Sequence, residues 1–303
     1  MTAASFRSDA GSVILHRALA GGFRSIAVVG TGKNVGKSVT VRSIAEAAAR
    51  EALPFALTSI GRDGEAIDAV TGEPKPRFFL APGAVVASAQ MLLERAPAFE
   101  TIAVIPQGGP LGPIVVARVA EAGHFEIAGS HTAAGMRALV DRLSTLGRSP
   151  VIIDGAIDRL AAISGGDDAV VVATGARRFA QMRDVIDELT ALCRRLRIPA
   201  RDPDAEQIAV DVLDAQTIDR LVKAHERRHV VVSDATKIVA RGAVLERAYA
   251  ALELRCLRPL RILACTVSPV GEERILDAGE FVAAAARATG LAVFDVVSGI
   301  RSE

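Results

Sequence analysis

The chain reads as an α/β protein, a doubly wound, mostly parallel sheet with an inserted antiparallel meander. Three observations predict this. The segment Ser25–Gly30 is a short apolar run leading into a glycine-rich loop that ends Gly36-Lys37-Ser38. Apolar runs and helical-period stretches then alternate along much of the chain. Half of the residues are hydrophobic and only 4% are aromatic, with abundant Ala and Val, as a sheet covered by helices on both faces requires.

The loop is the strongest chemical signal. Ile26-Ala27-Val28-Val29 has the continuous apolar character of a buried parallel strand. Val39, Val41, Ile44, Ala45 and Ala48 follow at roughly helical spacing. Glycines between strand and helix let several backbone N–H groups face one anion, and the helix adds the positive end of its dipole. Lys37 can reach the β- and γ-phosphates of a nucleotide, and Ser38 can hold magnesium. The strict spacing puts the first glycine of the motif at Thr31, so Gly30 fits only if the loop holds one extra residue. The expected phosphate cradle is Gly30, Thr31, Gly32, Asn34, Val35, Gly36, Lys37, Ser38 and Val39. Lysine is scarce, five against 31 arginines, yet Lys33 and Lys37 both lie in this loop. That points to a need for compact ammonium groups there.

The elements follow in order. Phe55–Ile60 reads as a second strand, broken by the polar loop Gly61-Arg62-Asp63-Gly64. A Pro-rich turn precedes a short strand at Phe78–Leu80, and a helix is expected over Ala84–Arg95. Short strands at Thr101–Ile105, Pro113–Val119 and His124–Ile127, with tight turns between them, predict a meander over 101–129. It is too small for a core of its own, so residues 1–303 read as one domain. A helix follows over about Thr132–Leu146. Strands are then expected at Val151–Asp154, Ala169–Ala173, His229–Ser233, Ile262–Thr266 and Ala292–Val296. Helices are expected at Ala176–Leu196, Ala215–Glu226, Ala240–Leu254 and Asp277–Thr289.

Other chemical positions follow from the loop. Asp154 ends an apolar run and could supply the carboxylate that a neighbouring strand must give to nucleotide-bound magnesium, or simply form the turn that ends the strand. Asp63, at the end of the second strand, could bind the metal or orient a water, or form an Asp-Gly turn. Arg62 beside it could touch phosphate or an anionic substrate. Lys33 could cross the γ-phosphate or remain solvated, and Lys37, Asp63 and Lys33 are the candidate catalytic groups. Asp158 and Arg159 could line the cleft or pair at a helix start. Ser233-Asp234-Ala235-Thr236-Lys237 could read the base or cap a helix. Thr174-Gly175 could border the site. His124 and His131 read as structural.

Composition excludes some classes. A formal net charge of +1 without a basic block argues against a nucleic-acid surface. The patch Val13-Ile14-Leu15 is too short for a signal or membrane segment, and no run of 18 uncharged apolar residues occurs. Three cysteines without metal spacing suggest reduced core thiols and a cytoplasmic protein.

Gly30-Thr31 with Val35-Gly36-Lys37-Ser38 resembles the P-loop of dethiobiotin synthetases and their relatives, which carries the extra residue. That resemblance implies a dimer-forming branch of the P-loop fold, a homodimer, ATP or GTP, and magnesium held by Ser38 and Asp154. It also implies an ATP-dependent ligase or kinase acting on a small carboxylate. Ile157-Asp158 replaces that family's Gly-Gly after the acid, and Gly61-Arg62-Asp63 stands where its Lys-Pro pair would fall. A second resemblance joins the loop, Leu57–Glu65 and Ile152–Arg159. These segments are similar to a P-loop protein associated with B12-dependent lysine or ornithine aminomutases. It implies an NTPase whose nucleotide turnover acts on a partner enzyme, as in reactivation.

Overall fold

The structure is a computed structural model, and it describes residues 10–60, 77–130, 132–155, 168–176, 181–271 and 274–302. Eight helices are described: α1 (Ala10–Ala20), α2 (Lys37–Arg50), α3 (Gln90–Leu93), α4 (Ala133–Thr145), α5 (Met182–Leu196), α6 (Ala215–Lys223), α7 (Gly242–Ala251) and α8 (Ala278–Thr289). The strands of the first half are β1 (Ser25–Gly30), β2 (Ala56–Ser59), β3 (Arg77–Leu80), β4 (Val85–Ala89), β5 (Phe99–Gly109), β6 (Gly112–Val119) and β7 (Gly123–Glu126). Those of the second half are β8 (Val151–Asp154), β9 (Asp168–Gly175), β10 (Gln207–Ala209), β11 (His229–Asp234), β12 (Leu254–Arg258), β13 (Arg261–Ser268) and β14 (Val293–Asp295).

Nine strands form one sheet in the order β14-β13-β9-β1-β8-β2-β4-β6-β5. From β14 to β4 all pairs are parallel, and β6 runs antiparallel to both β4 and β5. The α/β class with a large, mostly parallel sheet therefore holds. Side chains alternate between the two faces. Ala27 and Val29 of β1 pack with Met136 of α4, Val185 of α5 and Phe281 of α8. Ile26 and Val28 pack with Ile14 of α1 and Val41 and Ile44 of α2. This is why β1, β8 and β9 read as unbroken apolar runs: each face has its own helical layer.

The structure departs from expectation at several elements. The expected helix over Ala84–Arg95 is strand β4 followed by the single turn α3. Its Ala and Ser residues suit a helix locally, but all five positions of β4 are buried between β2 and β6, and sheet packing overrides propensity. The meander is also incomplete. β5 and β6 pair as expected, but β7 leaves them and pairs antiparallel with β3 in a two-stranded sheet. Phe78 and Phe125 face each other in that pair, and both are buried in the α1–α2 core. Helix α1 grew from what read only as a short apolar patch. It lies so close to α2 that a Cβ on Gly11 would come within 2.2 Å of the Ser43 carbonyl oxygen.

The strand at His229–Ser233 forms, but not in the main sheet. β11 is the centre of a second, parallel sheet, β10-β11-β12, with its own core of Ile198, Leu213, Ile218, Val230 and Leu254. The expected helix over Ala240–Leu254 stops at Ala251, because Leu254 begins β12 beside β11. Helix α5 is described from Met182; the start expected at Ala176 falls partly outside the described residues. All three cysteines are buried, and the sulfurs of Cys193 on α5 and Cys265 on β13 lie 3.7 Å apart. No helix among the described residues is long and apolar enough to cross a membrane.

Phe125→Ala removes the aromatic side chain that ties β7 and β3 to the core. It should lower unfolding free energy by about 3–5 kcal/mol, read from the midpoint of urea denaturation. A loss below about 1 kcal/mol would show that this pair is peripheral.

Candidate functional site

The parallel strands β1, β8, β9 and β13 end on the same edge of the sheet. There the chain order runs away from β1 in both directions, towards β2 and β4 on one side and β13 and β14 on the other. Open α/β sheets hold their ligands at such a crevice. The 31–36 loop lies in it.

The loop is fixed by close backbone contacts. The Thr31 N–H donates to the Ala173 carbonyl at 3.0 Å, and the Thr31 and Thr174 hydroxyls are 3.0 Å apart. Val35 is buried, and Asn34 and Gly36 have left-handed φ of 54° and 89°. Asn tolerates that region well, and glycine adopts it freely. A Cβ on Gly30 would lie 2.6 Å from Val35 Cγ2 and 2.9 Å from Lys37 Cγ. The stem of Lys37 therefore crosses Gly30 and carries the ammonium back over the loop, where Nζ donates to the Gly32 carbonyl at 2.6 Å. The N-cap of α2 is Gly36, a glycine that offers no side chain to cap the first turn. Ser38 is half-buried in that turn, while Lys33 and Val39 are exposed.

Asp154 is the last residue of β8, directly beside β1, with its Cα opposite Val28. Its carbonyl accepts from the Ile60 N–H at 3.0 Å, and its residue is half-exposed at the strand end. The Gly155 N–H donates to the Val28 carbonyl at 2.9 Å, which brings Gly155 alongside the loop strand. Lys37, Ser38 and Asp154 thus belong to one end of two adjacent strands. Among the described residues no group of three His, Cys, Asp or Glu could hold a metal by itself. Magnesium bound with a nucleotide takes only one or two protein oxygens, the phosphates supplying others. The residues present fit that pattern. Asp63, Arg62, Asp158, Arg159 and His131 lie outside the described residues.

Two neighbours of the loop went unseen in the sequence or were left open there. Gly175, ending β9, would place a Cβ 3.1 Å from Val35 Cα and 3.2 Å from Ser268 Cβ, so Thr174-Gly175 does border the loop. Ser268, ending β13, sits 3.1 Å from where a Gly36 Cβ would be. One turn into α2, the Thr40 hydroxyl lies 2.8 Å from that of Thr266 on β13 and bonds the Gly36 carbonyl at 3.1 Å. A Val-Ser-Pro ending carries no motif, so only strand order could reveal it.

Asp234 ends β11 in the second sheet, and its carboxylate is committed to a turn. It accepts from Ser233 and Thr236 and from Arg258 at 3.0 Å. Burial alone would raise its pKa, but the bonds from Thr236, Arg258 and Ser233 outweigh that and hold it below the ordinary value. Of the two readings of Ser233–Lys237, the capped turn is the one formed: Ala235–Lys237 is a short 3-10 helix with Asp234 as its N-cap. His124 packs edge-on against Phe79 on the β3–β7 pair, a structural contact.

The chain matches no family model, no curated protein and no solved structure.

Asp234→Asn should lower stability by about 1–3 kcal/mol at neutral pH. Because the folded-state pKa is depressed, the charged side chain stabilises above its unfolded value near 3.9 and that contribution is lost as pH falls below it. The gap between wild type and variant in chemical denaturation should therefore close in acid. A gap that is constant down to pH ~2 would mean the carboxylate charge contributes nothing.

Proposed function

We propose that this chain binds a nucleoside triphosphate, ATP or GTP, with magnesium at the 30–39 loop, hydrolyses it, and uses the change of nucleotide state to act on a partner protein. The carrying observation is the Lys37 stem crossing Gly30, which holds the ammonium over a loop whose helix starts at a glycine N-cap. Backbone N–H groups of the loop would bind the phosphates, and Lys37 would offset charge on the β- and γ-oxygens. Ser38 and Asp154 would hold magnesium, directly or through its water. The ion, when bound, neutralises phosphate charge that develops as the terminal bond breaks. Lys33, exposed on the loop, and Asp63 complete the proposed catalytic set, with Asp63 as a second metal ligand or the group that orients the attacking water.

Action on a partner rests on the resemblance of three segments to the P-loop protein that accompanies B12-dependent aminomutases. The partner would be an enzyme returned to activity in the cytoplasm. The ligase or kinase reading rests on the loop variant shared with dethiobiotin synthetases, and the same assay separates the two. Slow, magnesium-dependent phosphate release without added metabolite supports the NTPase; turnover that appears only with a small carboxylate supports the ligase.

Lys37→Ala should abolish triphosphate binding in calorimetry while leaving the circular dichroism spectrum intact. Wild-type protein that binds neither ATP nor GTP with magnesium would end the proposal. Asp154→Asn should retain binding but reduce hydrolysis by roughly 10²-fold, with a higher magnesium requirement. Unchanged rates across a magnesium titration would remove Asp154 from the site.

A further inference from the structure

A cleft of about 530 Å³ lies where the main sheet's helices meet the three-stranded sheet. Its walls are α5, the segment joining α7 to β12, and the last turn of α8. Three guanidinium groups border it, those of Arg194, Arg197 and Arg255. Arg194 stacks over the Tyr249 ring, 3.9 Å from its centroid, and is neutralised by Glu246 at 2.5 Å. Arg255 faces Glu253 at 3.3 Å. Arg197 differs: its Nη1 donates to the Thr289 carbonyl at 3.1 Å, and it has no carboxylate partner among the described residues. A guanidinium has five N–H donors, so one carbonyl leaves most of them unspent.

Tyr249 adds an unusual feature. Its hydroxyl oxygen is out of solvent and has no hydrogen-bond partner among the described residues. Burial pushes its pKa up to about 12, with Arg194 acting against the shift and Glu246 adding to it. At neutral pH the group is therefore an O–H donor lacking an acceptor, and the same cleft is lined by Arg197, which lacks a carboxylate partner among the described residues. Buried polar groups are nearly always paired, so the Tyr249 hydroxyl is an exception in the wall of this cleft.

We propose that this cleft binds a small organic anion, a carboxylate or a phosphate ester, with its charged head against Arg197 and Arg255 and its apolar body against the Tyr249 ring. Ligand oxygens would accept from the guanidiniums of Arg197 and Arg255. Leu252 supplies further apolar wall. The size of the cleft suits a metabolite-sized molecule.

Tyr249 is the sole tyrosine of a chain with no tryptophan, so tyrosine emission reports on this cleft. The test uses the full chain carrying Lys37→Ala, which removes the proposed triphosphate site, so that failure of one reading leaves the other standing. Inorganic phosphate and hexanoate are titrated at constant ionic strength, followed by emission and by equilibrium dialysis of the radiolabelled probe. One probe should bind saturably, and Arg197→Gln should weaken it by about tenfold, the size of a lost charge-assisted hydrogen bond. Preference for phosphate assigns the ester, and preference for hexanoate assigns the carboxylate. Arg255→Gln provides a second variant should Arg197→Gln fail to fold. The proposal is overturned if neither probe binds saturably in dialysis, or if the folded variants bind as their parent does.

Discussion

β1 is hydrogen-bonded on both edges and buried on both faces, and the candidate site depends on that confinement. Its parallel neighbours β8 and β9 hold it from either side, and the α1–α2 and α4–α5–α8 layers cover it above and below. Such a strand has almost no freedom to shift, because each peptide group already has a partner in the sheet. The chain leaving it must turn within a few residues to reach α2. The turn succeeds because Gly30 has no Cβ where the Lys37 stem passes and Gly36 adopts a left-handed φ. The loop is thus rigid through its neighbours more than through its own bonds. Thr31 is tied to β9, and Gly36 lies against Ser268 of β13.

That rigidity bears on electrostatics. An ammonium on a long, mobile stem is a diffuse charge; one laid across a glycine and bonded to a loop carbonyl is a placed charge. In a chain so poor in lysine, the position of Lys37 is specific. Asp154 ends β8, the strand paired with β1, whose following loop carries Lys37. A carboxylate at the end of β8 and an ammonium at the start of α2 form the polar arrangement that the proposed magnesium–triphosphate complex would need.

The second sheet changes how α5 is viewed. The helix builds the main core through Val185, Leu189, Leu192 and Cys193, and meets α7 through Arg194, which pairs with Glu246 and stacks on Tyr249. Cys193 also meets Cys265 on β13, three residues before Ser268 beside the loop. The burial of these thiols, with the Cys265 pKa pushed well up by its contact with Cys193 and by desolvation, fits packing more than reactivity. α5 therefore joins the crevice at the strand ends to the arginine-lined cleft through packed side chains, without a flexible linker between them.

Local pattern determined much of this protein. The loop, the strand before it and the helix after it could be read because each is set by short-range rules: apolar run, glycine turn, helical period. So could Asp154 at a strand end, and the α/β class itself. Tertiary structure alone decided the rest. Val85–Ala89 is a strand because β2 and β6 bury it, not because alanine and serine favour one. β7 pairs with β3 instead of β6 because Phe78 and Phe125 share a core. Asp234 ends a strand as foreseen, yet in a different sheet, since strand order depends on contacts remote in sequence. Ser268 and Thr266 reach the loop by the same cause. Glycine turns and apolar periods are local and leave marks in the sequence; which strands become neighbours is decided by the burial of whole surfaces.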